Sequence, residues 1–448
     1  MQLMHSPRVS SATSSDWRVD WPARALVIMC VLNLNGVFSM MFDVGQVVSL
    51  GMLVAAVVLV VGTGRYAWSR PFSLLVAAIT TYLIFGLLFY DHLVSVEPAS
   101  KYIQTYFNTI LIVWAIAGYV ASLEAGTRLA RFLTFIRNIF LVSAASVWAS
   151  PILYEYYVNL PFSAQQRMGG FFGNPNEAAM VSVLAVALTL ALPFKSRIIQ
   201  LGALGMASIA VFMTFSKTGM SCLVVILAWH LVRSAKGLGL ALLPLGAVIA
   251  IAIIQEPTSI LEAIAENPML ELDQSQKGRI LAIGQILGGQ LDQQTTTGRT
   301  YLWQIVIGRA WDNFPWGGGL GSAHHVVGGL LERNVWQGAH NTFLMMWAEA
   351  GVLPAFLLMA AVLAALVSSI YYSRGQIELT SLAILCVDMM ATHTALGTRY
   401  HNVVLATILG LIAGVRKKKS KNSHAVGSLP IRRESVISGN ENISYIIY

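Results

Sequence analysis

Gly338-Ala339-His340-Asn341-Thr342-Phe343-Leu344 closes the one long polar interval of the chain and opens an apolar run that reaches Tyr371. The interval begins at Gln255, where another apolar run ends. On both sides of it the sequence is a succession of apolar runs near 20 residues, the length a helix needs to cross a hydrocarbon layer of about 30 Å. Of 448 residues, 56% are hydrophobic and 11% charged, against about 25% charged in soluble domains. Backbone groups in lipid must be satisfied within their own segment, so the spans are read as helices. The expected fold is all-α: a polytopic integral membrane protein with about twelve transmembrane helices and one large outside loop between spans 9 and 10.

The spans are expected at 24–42, 44–64, 72–90, 105–121, 132–149, 178–192, 198–213, 220–231, 237–254, 343–371, 379–396 and 403–415. Residues 1–23 are polar and serine-rich, and are read as a disordered cytoplasmic tail. Residues 24–415 form the transmembrane domain, its large outside loop at about 255–342. Arg416-Lys417-Lys418-Lys419 stops the last span and begins a basic, disordered cytoplasmic tail to Tyr448. This arrangement puts 20 of the 29 Lys and Arg residues on the side called cytoplasmic, as the positive-inside rule requires. Both termini are therefore expected in the cytoplasm. The net charge of +8 is accounted for in the same way, and no loop alternates aromatic and basic residues as a nucleic-acid groove does. Cys30, Cys222 and Cys386 each fall inside an apolar run and read as small buried hydrophobes.

The outside cations carry more information because the rule makes them scarce. They are Lys101, Arg167, Lys217, Lys277, Arg279, Arg299, Arg309, Arg333 and Arg399. Arginine presents a planar fork of donors suited to phosphate oxygens. A surface lined by Arg167, Lys217 and Arg299 suits an anionic lipid head group such as a diphosphate.

Each motif has a plainer reading beside the functional one. Arg299 precedes a segment, 301–311, with apolar residues at helical spacing flanked by tryptophans, read as a helix lying along the membrane interface. Arg299 then stands at a helix N-terminus, where free N–H groups also favour an anion; the alternative is a cation snorkelling to head groups. His340 is a candidate general base where the loop re-enters the membrane, or a residue capping span 10. Gly169-Gly170-Phe171-Phe172-Gly173-Asn174-Pro175-Asn176 is a turn-rich re-entry loop, or a plain turn that starts span 6. Ser216-Lys217-Thr218-Gly219 is a tight outside turn. The glycines of Trp316-Gly317-Gly318-Gly319-Leu320-Gly321 permit close approach of backbone to a ligand, or simply form a loop. Asp388 is an intramembrane acid, with a functional role or a satisfied structural partner. Paired outside acids of a metal-dependent sugar transferase are missing, as are His-Glu-x-x-His, Gly-x-Ser-x-Gly and a Gly-Lys-Ser/Thr nucleotide loop.

Taken together, these stretches resemble the O-antigen ligase and O-antigen polymerase superfamily of bacterial membrane glycosyltransferases. The resemblance rests on Arg167 with Gly173-Asn174-Pro175-Asn176, Ser216-Lys217-Thr218-Gly219, and Thr297-Gly298-Arg299 with Trp303. It continues through Pro315-Trp316-Gly317-Gly318-Gly319-Leu320-Gly321 and His340-Asn341-Thr342-Phe343-Leu344, with Glu349 and Gly351. It implies a metal-independent glycosyltransferase of the bacterial inner membrane, acting at the periplasmic face without a cofactor. The implied donor is a glycan on undecaprenyl diphosphate. The implied acceptor is a hydroxyl of lipid A-core or of another glycan, so the chain serves as an O-antigen ligase or a surface-polysaccharide polymerase in lipopolysaccharide or exopolysaccharide biosynthesis. Carried across, His340 is the catalytic base, and Arg167, Lys217, Arg299, Asn341, Asn174 and Asn176 bind substrate. Lys217 departs from the pattern, which commonly has arginine there. Membrane lipids are the other expected partners, and nucleic acid is not one. The rival is a multi-span transporter or flippase of lipid-linked or other anionic substrates, which predicts repeated halves with helix breaks at the midplane; such halves are not visible in the sequence.

Overall fold

A computed structural model of the chain describes residues 17–92, 97–123, 126–158, 167–234, 299–324, 339–372, 376–392 and 395–427, with a few single residues and short pieces between 95 and 281 besides. Among them there are helices and turns and no strands. The helices are α1 (Trp17–Val31), α2 (Leu34–Phe42), α3 (Gly45–Thr63), α4 (Arg70–Leu88), α5 (Ala99–Ser122), α6 (Thr127–Trp148) and the short α7 (Ser150–Glu155). They continue as α8 (Pro175–Ala191), α9 (Arg197–Met213), α10 (Lys217–Ser234), α11 (Arg299–Asp312), α12 (Thr342–Ala350), α13 (Val352–Tyr372), α14 (Gln376–Ala391) and α15 (Arg399–Gly427). Five of them are long and apolar enough to cross a membrane, and the bent α1–α2 pair makes a sixth. Four shorter apolar segments, at 175–191, 197–213, 217–231 and 399–415, stand among these. The ninth expected span, 237–254, and most of the large loop lie outside the described residues.

Two expected spans are each two helices. Span 1 breaks between α1 and α2, which meet at 57°. Asn33 there adopts a left-handed backbone, φ 47°, a conformation that asparagine tolerates better than most residues. Span 10 breaks at Gly351, between α12 and α13. Helix also extends past two expected boundaries, beginning at Trp17 and continuing to Gly427.

The helix at the centre is α8. Every residue from Ala178 to Thr189 is buried, because α6, α9, α10 and α14 surround it. A helix that is apolar all round and enclosed by others needs no amphipathic stripe. Its N-terminus therefore opens within the bundle, and this fixes where polar groups gather. Towards the outside, α3 turns Val47, Leu50, Val54 and Val61 away from its neighbours, as a lipid-facing stripe does. Between helices, small residues allow close packing: a side chain on Gly118 of α5 would meet the carbonyl of Thr63 at 2.7 Å.

The two ends of the bundle differ in chemistry. At one end Asp20 accepts from Arg24 and from the Tyr119 hydroxyl, Trp114 donates to the Gly64 carbonyl, and Arg137 reaches the Leu192 carbonyl across the Phe194 ring. Arg18, Arg65, Arg70, Arg128, Arg131, Lys195 and Arg197 belong to the helix ends and turns of that side. The opposite end collects the longer connections, tied to one another by hydrogen bonds between residues far apart in sequence. That end holds the candidate site.

Candidate functional site

Arg167 begins the first group. Its Nε donates to the Thr214 carbonyl at 2.8 Å, and a terminal nitrogen donates to Asn176 Oδ1 at 3.0 Å. The guanidinium thus joins the start of α8 to the end of α9. Asn174 is the N-cap of α8: its side-chain oxygen accepts from the Asn176 N–H at 3.0 Å, and its amide donates to Glu177 at 3.2 Å. The expected re-entry loop is a turn that starts α8, and it is fastened down. Gly170 N–H donates to Ser150, Phe171 N–H donates to Ser146, and the Tyr157 hydroxyl donates to the Gly170 carbonyl. Lys217 opens α10 three residues after Thr214, half-buried, just after Ser216 has turned the chain. The Ser216 hydroxyl accepts from Gly219 N–H and its carbonyl from Met220 N–H, satisfying donors that a helix start leaves open.

His340 begins the second group. It is half-buried, with a left-handed backbone at φ 45°. Asn341 is the N-cap of α12 and accepts from Leu344 N–H at 3.0 Å. The capping role considered for the histidine therefore belongs to its neighbour. Trp303 of α11 donates its indole N–H to the Ala339 carbonyl at 2.7 Å, so the helix that Arg299 opens is bonded to the residue before His340. On the other flank, Thr342 donates to the Thr392 carbonyl at 2.8 Å, at the end of α14. The side chain of Arg299 is outside the described residues; its backbone is the first residue of α11.

The last turn of α14 lies between the two groups. Thr392 bonds back to the Asp388 carbonyl, and Asp388 Oδ2 accepts from the Tyr400 hydroxyl at 3.0 Å. Asp388 is 2% exposed, and within electrostatic reach of Glu177 at the start of α8. Among the helices that begin at this end of the bundle are α8, α10, α12 and α15. Each helix start adds the positive end of its dipole, which favours negative charge nearby.

Arg399, at the start of α15, is held from the break between α1 and α2. It donates to Asn33 Oδ1 at 3.4 Å. The Asn35 amide orientation that satisfies both its neighbours accepts from Arg399 at 2.7 Å and donates to Ser49 at 2.8 Å. Asn33 also donates to the Phe171 carbonyl at 3.1 Å, and Phe172 packs edge-on against Tyr400. Asn33 and Asn35 were missed from the sequence, although Asn33-Leu34-Asn35-Gly36 inside an apolar run was a visible signal of a helix break.

The glycine-rich stretch serves packing. Gly318 and Gly319 donate to the Ala348 and Glu349 carbonyls, Leu320 N–H donates to the Gly86 carbonyl, and Val352 N–H donates to the Pro315 carbonyl. Gly319 has φ +91°, and a side chain there would overlap the Phe89 carbonyl. The close approach is made to protein backbone. Behind it, Glu349 is fully buried on α12 and accepts from the Tyr82 hydroxyl.

The fold and this end define a helical, membrane-embedded protein with a polar, arginine-bearing site at helix starts. Residues 201–360 match the family model described as O-antigen ligase. Over that stretch, which runs from α9 into α13, the resemblance to the O-antigen ligase and polymerase superfamily is borne out. The match holds Lys217, Arg299, His340 and Asn341, while Arg167, Asn174 and Asn176 precede it. It points to a ligase- or polymerase-type role in polysaccharide biosynthesis. No curated protein matches the chain.

Proposed function

We propose that the protein transfers a glycan from undecaprenyl diphosphate to an acceptor hydroxyl at the periplasmic face of the bacterial inner membrane, as an O-antigen ligase or a surface-polysaccharide polymerase. What supports this reading is one bundle end: Arg167 tied to the start of α8 and the end of α9, Lys217 opening α10, and His340 two residues before Thr342, which bonds to the end of α14. The charge asymmetry supports the orientation: the opposite end is ringed by arginines and lysines, as a cytoplasmic end is.

In this mechanism the acceptor oxygen attacks the anomeric carbon of the donor sugar while the bond from that carbon to the diphosphate oxygen breaks. His340 takes the hydroxyl proton as general base. Undecaprenyl diphosphate leaves with its charge held by Arg167, Lys217, Arg299 and the helix N-termini. Because a diphosphate is a good leaving group once its charge is stabilised, the chemistry requires no metal in principle. Asn174 and Asn341 act by capping the helices that aim these N–H groups, and Asn176 by holding Arg167. The acceptor is lipid A-core for a ligase and a growing glycan for a polymerase.

Cells deleted for the protein and complemented with wild type, His340→Ala or Arg299→Ala, each checked for membrane abundance, test the reading. Present but inactive variants support it, and wild-type glycan display by both contradicts it and favours a transporter. Long chains stranded on carrier lipid in the deletion mark a ligase; single repeat units mark a polymerase.

A further inference from the structure

The helix α11 has three kinds of surface. Leu302, Val306 and Ala310, four residues apart, are buried against the bundle. At 3.6 residues per turn, the exposed arc opposite divides in two. Ile307 and Trp311, 39% and 58% exposed, occupy one flank, while Gln304, Gly308 and Asp312 occupy the other. An exposed arc split lengthwise into apolar and polar halves matches a helix with one flank in lipid and one in water.

The apolar flank continues into surfaces that already face lipid. Trp311 packs edge-on against Trp347 of α12 and beside Phe314, and Trp316 packs against Phe85 of α4. Next to these, α4 exposes Ile84, Leu87 and Leu88, and α13 exposes Val352, Leu353 and Phe356. Phe314 and Trp316, each 53% exposed, bridge the gap. Amphipathic indole rings such as those of Trp311 and Trp316 sit at the level of lipid head groups.

The same helix touches the site. Trp303, on the bundle side of α11, donates to the Ala339 carbonyl next to His340. We infer that the flank carrying Ile307 and Trp311 is seated in the bilayer at the boundary of head groups and acyl chains, and that this seating positions His340 through Trp303. The depth of the bilayer surface then sets where the base stands, which fits a reaction whose donor, and for a ligase whose acceptor, is anchored in the same membrane. Trp303 and Trp311 are positioning residues. The importance of His340 rests on the transferase reading; the seating and the coupling do not.

The test uses the full chain with Cys30, Cys222 and Cys386 replaced by alanine, in nanodiscs of phosphatidylethanolamine and phosphatidylglycerol. Nitroxide labels go onto Gln304→Cys, Ile307→Cys, Trp311→Cys and Asp312→Cys. The expected result is preferential access of oxygen at 307 and 311, and of a water-soluble nickel complex at 304 and 312. Equal aqueous access at all four positions overturns the seating, and so does exclusion of both reagents at 307 and 311, which marks a protein partner. For the coupling, a label on Phe343→Cys, beside His340, is compared across three backgrounds. Trp303→Phe and Trp311→Ser are expected to raise its mobility, while Trp311→Phe leaves it as in the parent. An unchanged spectrum in the first two overturns the coupling. Neither readout needs transfer activity, so failure here and failure of the transferase reading are distinguishable.

Discussion

Arg167 and Thr214 meet at 2.8 Å, guanidinium to backbone carbonyl, and the contact fastens the loop before α8 to the turn before α10. With Asn176 also accepting from the guanidinium, one arginine spaces two helix starts as well as offering its charge. A lysine keeps the charge but cannot hold both acceptors in a planar fork. Arg167→Lys is therefore expected to remain in the membrane and to lose transfer about as severely as Arg167→Ala, roughly tenfold or more for a lost charge-assisted contact of about 1.5–3 kcal/mol. Initial rates at matched abundance decide it, and a fully active lysine variant argues for charge alone.

Asn341 separates capping from substrate binding. Its side-chain oxygen accepts from Leu344 N–H, and removing such a cap costs about 1 kcal/mol. Asn341→Ala is expected to lower thermal stability by that amount and to reduce transfer, whereas Asn341→Ser or Asn341→Asp, which also cap, retain both. A loss in the serine and aspartate variants as large as in alanine points instead to a donor amide contact with substrate.

The expected spans agree closely with the helices where an apolar run is bounded by charge. The run at 198–213 meets α9 at Arg197–Met213, and 44–64 meets α3 at Gly45–Thr63. Hydropathy is additive over a window, so it finds such segments. It is blind to a break within a run, because Asn33 and Gly351 change the backbone without lowering the average enough to divide the run. The site divides in a similar way. His340-Asn341 and Asn174 stand where polar residues precede apolar runs, so their positions were legible; that the Asn174 and Asn341 side chains cap backbone N–H groups was not. The partners of Arg399 lie 366 residues away at Asn33, and no local pattern reports a contact made only when helices pack.

Gly319 should be intolerant of any side chain. Its φ of +91° is strained for other residues, and a Cβ would press into the Phe89 carbonyl. Gly319→Ala is expected to cost about 1–3 kcal/mol from the backbone conformation alone, read as reduced membrane abundance and a lower melting temperature. Gly278, whose Cβ position is open, serves as the control.

Asp388 and Tyr400 pair within the bundle. Asp388→Asn keeps an oxygen for the hydroxyl and is expected at wild-type abundance. Asp388→Ala strands the Tyr400 hydroxyl in a buried place and is expected to lose about 1–3 kcal/mol. Thermal denaturation of the two variants in the same detergent measures the difference; equal stability contradicts a structural pairing.

The most direct test places the purified protein in liposomes with a glycan on undecaprenyl diphosphate and a hydroxyl acceptor, and follows product over time. The wild type is expected to transfer with a chelator present. His340→Ala is expected to lower turnover about 100-fold or more, in line with loss of a general base, with the donor concentration dependence little changed. Arg167→Ala and Arg299→Ala are expected to weaken donor use. Transfer by His340→Ala at the wild-type rate contradicts the assignment of the base, and no transfer by the wild type with either class of acceptor contradicts the enzyme itself.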